Sequence, residues 1–406
     1  MSHAMRPIRQ TISLDEARAL IEGAIKRVDR REQVPLVHAN GRVLATDAIA
    51  DRDVPPFARA AMDGYAVVAE DTVGASRQNP KVLRVVDKIY TGEVPGRHVG
   101  AGEAIEIATG APMPAGADAV VMVEETDRTS DEDVCIFTAV HQSQYVGRQG
   151  ADIARGQTVL GAGDVLNPSR IGALAALGYI EIEAFAKPSV AILSTGNEIV
   201  EPGMPLAPGQ IYDINRYTLT TIVAEHGGIP VPHQTAEDTI DDLDRAIDRC
   251  LDEDLLVFSG GSSVGERDLI LDIIARRGEM LFHGLAVKPG KPTAFGLVSG
   301  KPVFGLPGYP TSCLLNAYIL VVPALRQMAH LPPHQIRTLR APLSQRVVSA
   351  PGRHQFYTVR LLNGEAHPAF KASGDITSMS QADGYIEIPA QTDIVEKGQV
   401  VQVKLF

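Results

Sequence analysis

Between Val190 and Ala329, short apolar runs ending in Gly-rich turns alternate with stretches of helical period, and few folds accommodate that order. VAILSTG and DLLVFSGG have the length and apolar content of buried strands, and PTAFGLVSGKPVFGLPG reads as two strands joined by Ser-Gly. IYDINRYTLTTIVAEHGG, DTIDDLDRAIDRCL, RDLILDIIARRG and TSCLLNAYILVVPALRQMA read as helices. Such alternation builds a parallel or mostly parallel sheet with helices on both faces. We expect a doubly wound, three-layer αβα domain over residues 181–330. Its ligands would sit beyond the carboxyl ends of the strands.

The rest of the chain has a different texture. SLDEARALIEGAIKRVDR (13–30) reads as one helix, with Ser13 and Glu16 in a capping-box pattern and Leu14, Ala17, Leu20, Ile21 and Ile25 as its apolar stripe. VPLVHANGRVLATDAIA (34–50) reads as strand, turn, then a short helix or strand. Residues 51–147 carry short strand-like runs, VLRVVDKIY, AIEIATG, AVVMVEET and VCIFTAV, without a long helical period, and form a β-rich module. A turn-rich link follows, ending in a helix from Pro168 to Leu177 that Gly178 closes. Beyond LPPHQ (331–335), FYTVRLL, YIEIPA and VVQVKLF indicate a small all-β domain over 331–406.

Bulk properties exclude several classes. A net charge of -11 argues against a nucleic-acid binder, which needs a basic face. Cys135, Cys250 and Cys313 are far apart, odd in number and without zinc-type spacing, which suits a reducing cytoplasm rather than a disulfide framework. Pro323 and Arg326 interrupt the longest apolar run, 314–329, so no membrane span is expected.

Chemistry concentrates in the turns of the α/β region. SGGSSVGERD (259–268) joins a buried strand to a helix. There Gly260 and Gly261 let backbone N–H groups approach a ligand, Ser259, Ser262 and Ser263 add hydroxyls, and the helix N-terminus favours an anion. Asp268 either caps that helix or binds a metal or hydroxyl. Glu198 of STGNEIVEPG lies past another strand, as a metal or hydroxyl ligand or a solvated acid. In VKPGKPTAF, rigid Pro-Gly geometry fixes Lys288 and Lys291 as a site for phosphate or another oxyanion. GLPGYPTS shapes backbone through Pro307 and Pro310. Asp63 and Asp152 lie next to glycines and read locally as turn formers. Neither a phosphate-binding GxxxxGK[ST] nor a GxGxxG occurs, which disfavours ATPase and nicotinamide chemistry. These turns describe an enzyme that binds a phosphorylated small molecule and an oxyanion.

AAMDGYAV, TGAPMPAGADAVV, GADIARGQTVL, STGNEIVEPG, GQIYDINRYTL, SGGSSVGERD, VKPGKPTAFG and GLPGYPTS occur in this order over nearly the whole chain. Together they resemble the MoeA-type molybdopterin molybdenumtransferases, which include the gephyrin E domain. The resemblance implies a MogA-like three-layer αβα domain. It also implies a discontinuous N-terminal linker and dimerisation domain made of 6–50 with 148–180, and a small β-barrel-like C-terminal domain. Insertion of molybdate into adenylylated molybdopterin with release of AMP, dependent on Mg²⁺, is the implied reaction. A cytoplasmic homodimer and a pterin-adenylylating partner protein are also implied, without nucleic acid or membrane.

Carried over by motif, Asp63, Thr109, Asp152, Glu198 and Asp268 become catalytic residues, with Glu198 and Asp268 as metal ligands. A further acid falls at Glu237 or Asp238. Lys288, Lys291, Arg353 and Ser373 become oxyanion contacts, and Asp63 and Thr109 are expected to serve the cleft of the partner subunit. The chain departs from the family pattern at Phe57-Ala58-Arg59-Ala60-Ala61, at Gly284 where some members have Lys, and at Tyr309 where Asn is common. A tungstate-inserting homologue and a non-catalytic scaffold of the same fold are the alternatives.

Overall fold

The computed structural model describes residues 10–236, 239–260 and 269–406, in two compact units. One unit holds the chain up to Glu32 together with Ala184–Phe406, and the other is Gln33–Glu183.

The chain enters through α1 (Leu14–Ala24), whose Ser13 hydroxyl accepts from the Glu16 N–H while Glu16 accepts from the Ser13 N–H. The expected helix over 13–30 stops early, with Ile25 already extended. Tertiary contacts decide this. Ile25 and Val28 enter the core as extended chain, and the Val28 N–H donates to the Met328 carbonyl at 2.9 Å. Arg30 then forms a two-pronged ion pair, 2.7 Å per arm, with the mostly buried Asp254.

The Gln33–Glu183 unit is β-rich. Its main sheet comprises β1 (Gly64–Val67), β2 (Lys81–Ile89), β3 (Glu103–Ile107), β4 (Ala119–Met122), β5 (Thr126–Arg128) and β6 (Asp133–Ile136), in the order β4-β1-β3-β2-β6-β5. Alternate residues leave opposite faces of a strand. Tyr65 and Val67 therefore join one buried cluster, and Ala66 joins another with Ile105. A short helix, α2 (Pro168–Ala176), is capped by Asn167 and followed by Gly178 at positive φ.

The remainder of the first unit contains the doubly wound region. Its elements are β7 (Ser189–Ser194), α3 (Asn215–Glu225), β8 (Ile229–Pro232), α4 (Ile240–Cys250), β9 (Leu255–Ser259), α5 (Leu269–Arg277), β10 (Gly278–His283), β11 (Val287–Lys288), β12 (Ala294–Val298) and β13 (Lys301–Leu306). The sheet order is β8-β7-β9-β13-β12-β10. The first four strands are parallel, and the β12–β13 and β10–β12 pairs are antiparallel. Helices cover both faces. Val190 and Ile192 pack with Leu219 on one side, while Ala191 and Leu193 pack with Leu243 and Ile247 of α4 on the other.

The last helix of this region is not continuous. α6 (Pro310–Asn316) passes into a π turn over Ala317–Val321 and then α7 (Val322–Met328). Pro323 has no N–H for a regular α-helical bond, and a π turn absorbs that break.

The C-terminal strands are β14 (Thr338–Pro342), β15 (His354–Leu362), β16 (Glu365–Pro368), β17 (Gly384–Ile388) and β18 (Val400–Leu405). They pair in the order β11-β15-β17-β18-β14, with β16 on β15. The short β11 thus leaves the α/β region and joins this sheet in parallel, with Lys288 opposite Gln355. Among the described residues, no helix is long and apolar enough to cross a membrane.

Candidate active site

Strand register brings the chemically distinctive turns together. Ser194 lies opposite Ser259 in the β7–β9 pair, and Ser259 opposite Leu306 in the β9–β13 pair. Three strands therefore end side by side, and Thr195, Gly260 and Pro307 leave at the same level. A cleft of about 1440 Å³ opens there. Glu198, Ser259, Gly260, Lys288, Lys291, Pro307, Pro310, Arg353 and Ser373 all line it. Gly261, Ser262, Ser263 and Asp268, with Glu237 and Asp238, lie outside the described residues.

Close backbone approach explains the glycines. Gly260 has φ +95°, and a Cβ there would lie 2.4 Å from the Thr195 carbonyl oxygen. Its N–H donates to the Leu306 carbonyl at 3.2 Å, so Gly260 joins two loops rather than presenting that N–H to a ligand. Ser259 is likewise turned inward, with its hydroxyl 3.2 Å from that of Ser194. Gly290 has φ +105°, and a Cβ there would lie 1.7 Å from Nδ2 of the buried Asn316. This seats the Lys288–Lys291 turn directly on α6. The turn is closed by the Leu285 N–H donating to the Lys291 carbonyl at 2.8 Å and by the Thr293 hydroxyl donating to the Gly290 carbonyl at 2.7 Å.

Two residues reach the cleft from the C-terminal strands. The His354 N–H donates to the Ala286 carbonyl at 2.9 Å, which sets Arg353 beside the Lys288 strand. The Thr311 N–H and hydroxyl donate to the carbonyls of Ser373 and Asp375 at 3.1 and 2.9 Å, holding Ser373 against the start of α6. Three cationic side chains, Lys288, Lys291 and Arg353, thus share one cavity wall system with the Glu198 carboxylate. Sequence spacing alone does not place residues 353 and 373 next to residue 288.

Sequence reasoning also missed the cleft floor. Asp213, Asn215, Ser194 and Thr195 are buried and line it. The Ser194 hydroxyl donates to Asp213 Oδ1 at 2.9 Å, and the same oxygen accepts from the Arg216 N–H at 3.0 Å. Among the described residues, Asp213 Oδ2 has no hydrogen bond, although Arg216 Nε is 3.7 Å away. Thr195 Oγ1 and Asn215 Oδ1 also lack partners among the described residues. Buried polar atoms left unpaired are costly and cluster at functional sites. The available signal was the Asp-Ile-Asn of GQIYDINRYTL, which reads locally as a helix start.

One charged cluster includes His354, the chain neighbour of the cleft residue Arg353. Glu387 accepts from Lys404 Nζ at 2.7 Å, and His354 Nε2 is 3.5 Å away, an ion-pair distance. Burial raises the Glu387 pKa, but His354 and Lys404 outweigh it and bring the carboxyl down to about 2. A carboxylate whose pKa is depressed on folding stabilises the fold above its unfolded value, and the contribution is lost as pH falls through the folded value. The window therefore runs from about 4.5 down to about 2, with a ceiling of about 3 kcal/mol at neutral pH. Urea denaturation of wild type and Glu387→Gln across this range should show the gap between them closing towards pH 2. Parallel stability curves would remove this assignment.

Asp63, Thr109 and Asp152 belong to the other unit. Asp63 Oδ1 accepts from the Thr109 N–H at 2.7 Å, and contacts with Thr109 hold the Asp63 carboxyl below its ordinary range. Asp152 is exposed, and its N–H donates to the Val54 carbonyl. The GADI turn is held by Asp53, whose carboxylate accepts from the Arg155 N–H and Gln149 Nε2 at 2.9 Å each.

Among the described residues, no group of three or more His, Cys, Asp or Glu could hold a metal ion. Glu198 still presents an exposed oxygen donor in the cleft. That fits Mg²⁺, which keeps several waters and takes one or two carboxylates together with substrate phosphates.

Known proteins match this chain in three successive regions. Residues 12–178 match the model "MoeA N-terminal region (domain I and II)", 191–327 match "Probable molybdopterin binding domain" and 340–406 match "MoeA C-terminal region (domain IV)". A Mycobacterium tuberculosis protein named molybdopterin molybdenumtransferase 2 is 36% identical over 392 residues, covering 93% of this chain and 95% of that one. A Staphylococcus aureus molybdopterin molybdenumtransferase is 30% identical, covering 95% of each. A molybdopterin biosynthesis MoeA protein of Pyrococcus horikoshii superposes with a TM-score of 0.86 at 40% identity, covering 98% of this chain and 99% of that one. With three successive MoeA-type regions, full-length relatives above 30% identity and the same architecture, the chain belongs to the MoeA family of molybdenum cofactor biosynthesis proteins.

Proposed function

We propose that this chain is a molybdopterin molybdenumtransferase that inserts molybdate into adenylylated molybdopterin, releasing AMP and forming the molybdenum cofactor. The observation that carries this reading is the meeting of Lys288, Lys291, Arg353 and Glu198 in one cleft of a MoeA-family chain. Molybdate and the substrate phosphates are anions, and fixed cationic donors bind them with charge-assisted hydrogen bonds.

Lys288, Lys291 and Arg353 neutralise and orient the two anions, and Ser373 adds a hydroxyl. The floor of Asp213, Asn215 and Thr195 offers polar atoms for the uncharged part of the substrate. Glu198, with Asp268, would hold Mg²⁺, which supplies charge neutralisation at the phosphoanhydride. Positioning and electrostatic stabilisation carry the rate, without a covalent nucleophile. Roles for Asp63, Thr109 and Asp152 as catalytic residues belong to the same reading, as does a cytoplasmic homodimer supplied by a pterin-adenylylating enzyme.

The test is AMP release by the purified chain from adenylylated molybdopterin with Mg²⁺ and molybdate, with tungstate in a parallel arm. Release that depends on the oxyanion is expected. Absence of AMP in both arms would end this reading.

A further inference from the structure

Tyr309 is not used by anything described so far. It lines the cleft, and it is 67% exposed in a chain with only 5% aromatic residues. Among the described residues, no ring packs on it and none hydrogen-bonds its hydroxyl. An aromatic ring left open inside a cavity is a large apolar surface held in water, and it gains most by covering another flat surface.

The backbone under this ring is fixed. Tyr309 sits at φ −65° and ψ 125°, immediately before Pro310, which disfavours a helical conformation for the preceding residue. Its carbonyl accepts from the Cys313 N–H at 2.8 Å. Thr311 is tied to Ser373 and Asp375 by the two bonds described above. Only the two side-chain torsions of Tyr309 are left to order on binding, so stacking on it costs little entropy. Gly374 lies alongside and has no side chain to cover the ring; a Cβ there would come only to 4.0 Å from Tyr309 Cδ1.

The cleft is therefore two-sided in character. Lys288, Lys291 and Arg353 provide charge for an anion, while Tyr309, with the exposed Leu206 and Ile211, provides apolar surface. A ligand matching both carries a phosphate and a flat ring on one skeleton. We infer that Tyr309 is the stacking platform for a flat heterocycle of the substrate. The inference rests on the proposed function for the identity of that heterocycle, adenine or pterin, and the shared chemistry is a planar nitrogen heterocycle.

The experiment compares binding to the full-length protein by calorimetry. AMP carries adenine where ribose 5-phosphate carries its anomeric hydroxyl. Wild type should bind AMP roughly tenfold or more tightly than ribose 5-phosphate if adenine stacks. Tyr309→Ala and Tyr309→Asn should erase that difference while leaving ribose 5-phosphate binding unchanged, and Tyr309→Phe should keep it. A second arm uses 6-hydroxymethylpterin, whose binding should weaken to the same degree in Tyr309→Ala if the pterin is the stacked ring. The platform is overturned if neither heterocycle shows a Tyr309-dependent gain, if Tyr309→Phe loses as much as Tyr309→Ala, or if ribose 5-phosphate binding falls in parallel. Failure of AMP release by wild type would remove the proposed reaction and leave these binding differences standing. Normal AMP release with no Tyr309 dependence would remove only the platform.

Discussion

Gly290→Ala should be the most damaging single change in the cleft, lowering stability by about 3 kcal/mol and removing oxyanion binding. Two penalties coincide there. The residue has φ +105°, which an L side chain rarely adopts, and its Cβ would lie 1.7 Å from Asn316 Nδ2. Asn316 is fully buried and donates to the Ser312 carbonyl at 2.7 Å, so it has little room to retreat. The strain falls on the turn that carries Lys288 and Lys291. Adding Asn316→Ala should restore part of the loss, because it removes the clash and leaves the backbone penalty. Thermal melts of the two single variants and the double variant would measure this as a favourable coupling of about 1–2 kcal/mol. A Gly290→Ala protein that melts like wild type and still titrates with molybdate would show that the turn is not seated as described.

The second large effect concerns catalysis rather than folding. Lys288→Met and Lys291→Met should each lower kcat/KM for molybdate insertion by roughly a hundredfold, the scale on which removal of one charge-stabilising donor acts. Both side chains are half-buried at the cleft, so the alkyl part of Met preserves most of their packing, and the melting temperature should move little. A rise in KM for molybdate at constant kcat would mark a ground-state contact with the oxyanion. An equal fall in kcat and kcat/KM would mark a contact made only in the transition state. Unchanged kinetics in both variants would detach the lysine turn from the chemistry, whatever its charge.

Much of this site was legible in the sequence because it is encoded locally. The alternation of apolar runs and helical periods specifies elements within a window of ten or so residues, and it yields the doubly wound character of the region, although β8 and β10 were not among the runs it picked out. Gly-, Ser- and Pro-rich turns after those strands are likewise local, so Glu198, Gly260, Lys288 and the GLPG loop could be picked out before any pairing was known. The capping box at Ser13 and Glu16 and the closure of α2 at Gly178 have the same origin.

Local pattern says nothing about pairing between distant segments. That β12 and β10 extend the sheet in antiparallel fashion follows from the tight Ser299-Gly300 turn, with both residues at positive φ, and from contacts across the sheet. α1 ends at Ala24 instead of Arg30 because Val28 bonds to Met328 and Arg30 meets Asp254, 224 residues away. Arg353 and Ser373 join the cleft only through the β11–β15 pairing and the Thr311 bonds. Asp213 and Asn215 look like ordinary helix-start residues until register buries them on the floor. The sequence by itself therefore determined the elements and the chemistry each loop carries. Tertiary structure decided which loops face one another, because strand register and long-range burial depend on contacts that no local window contains.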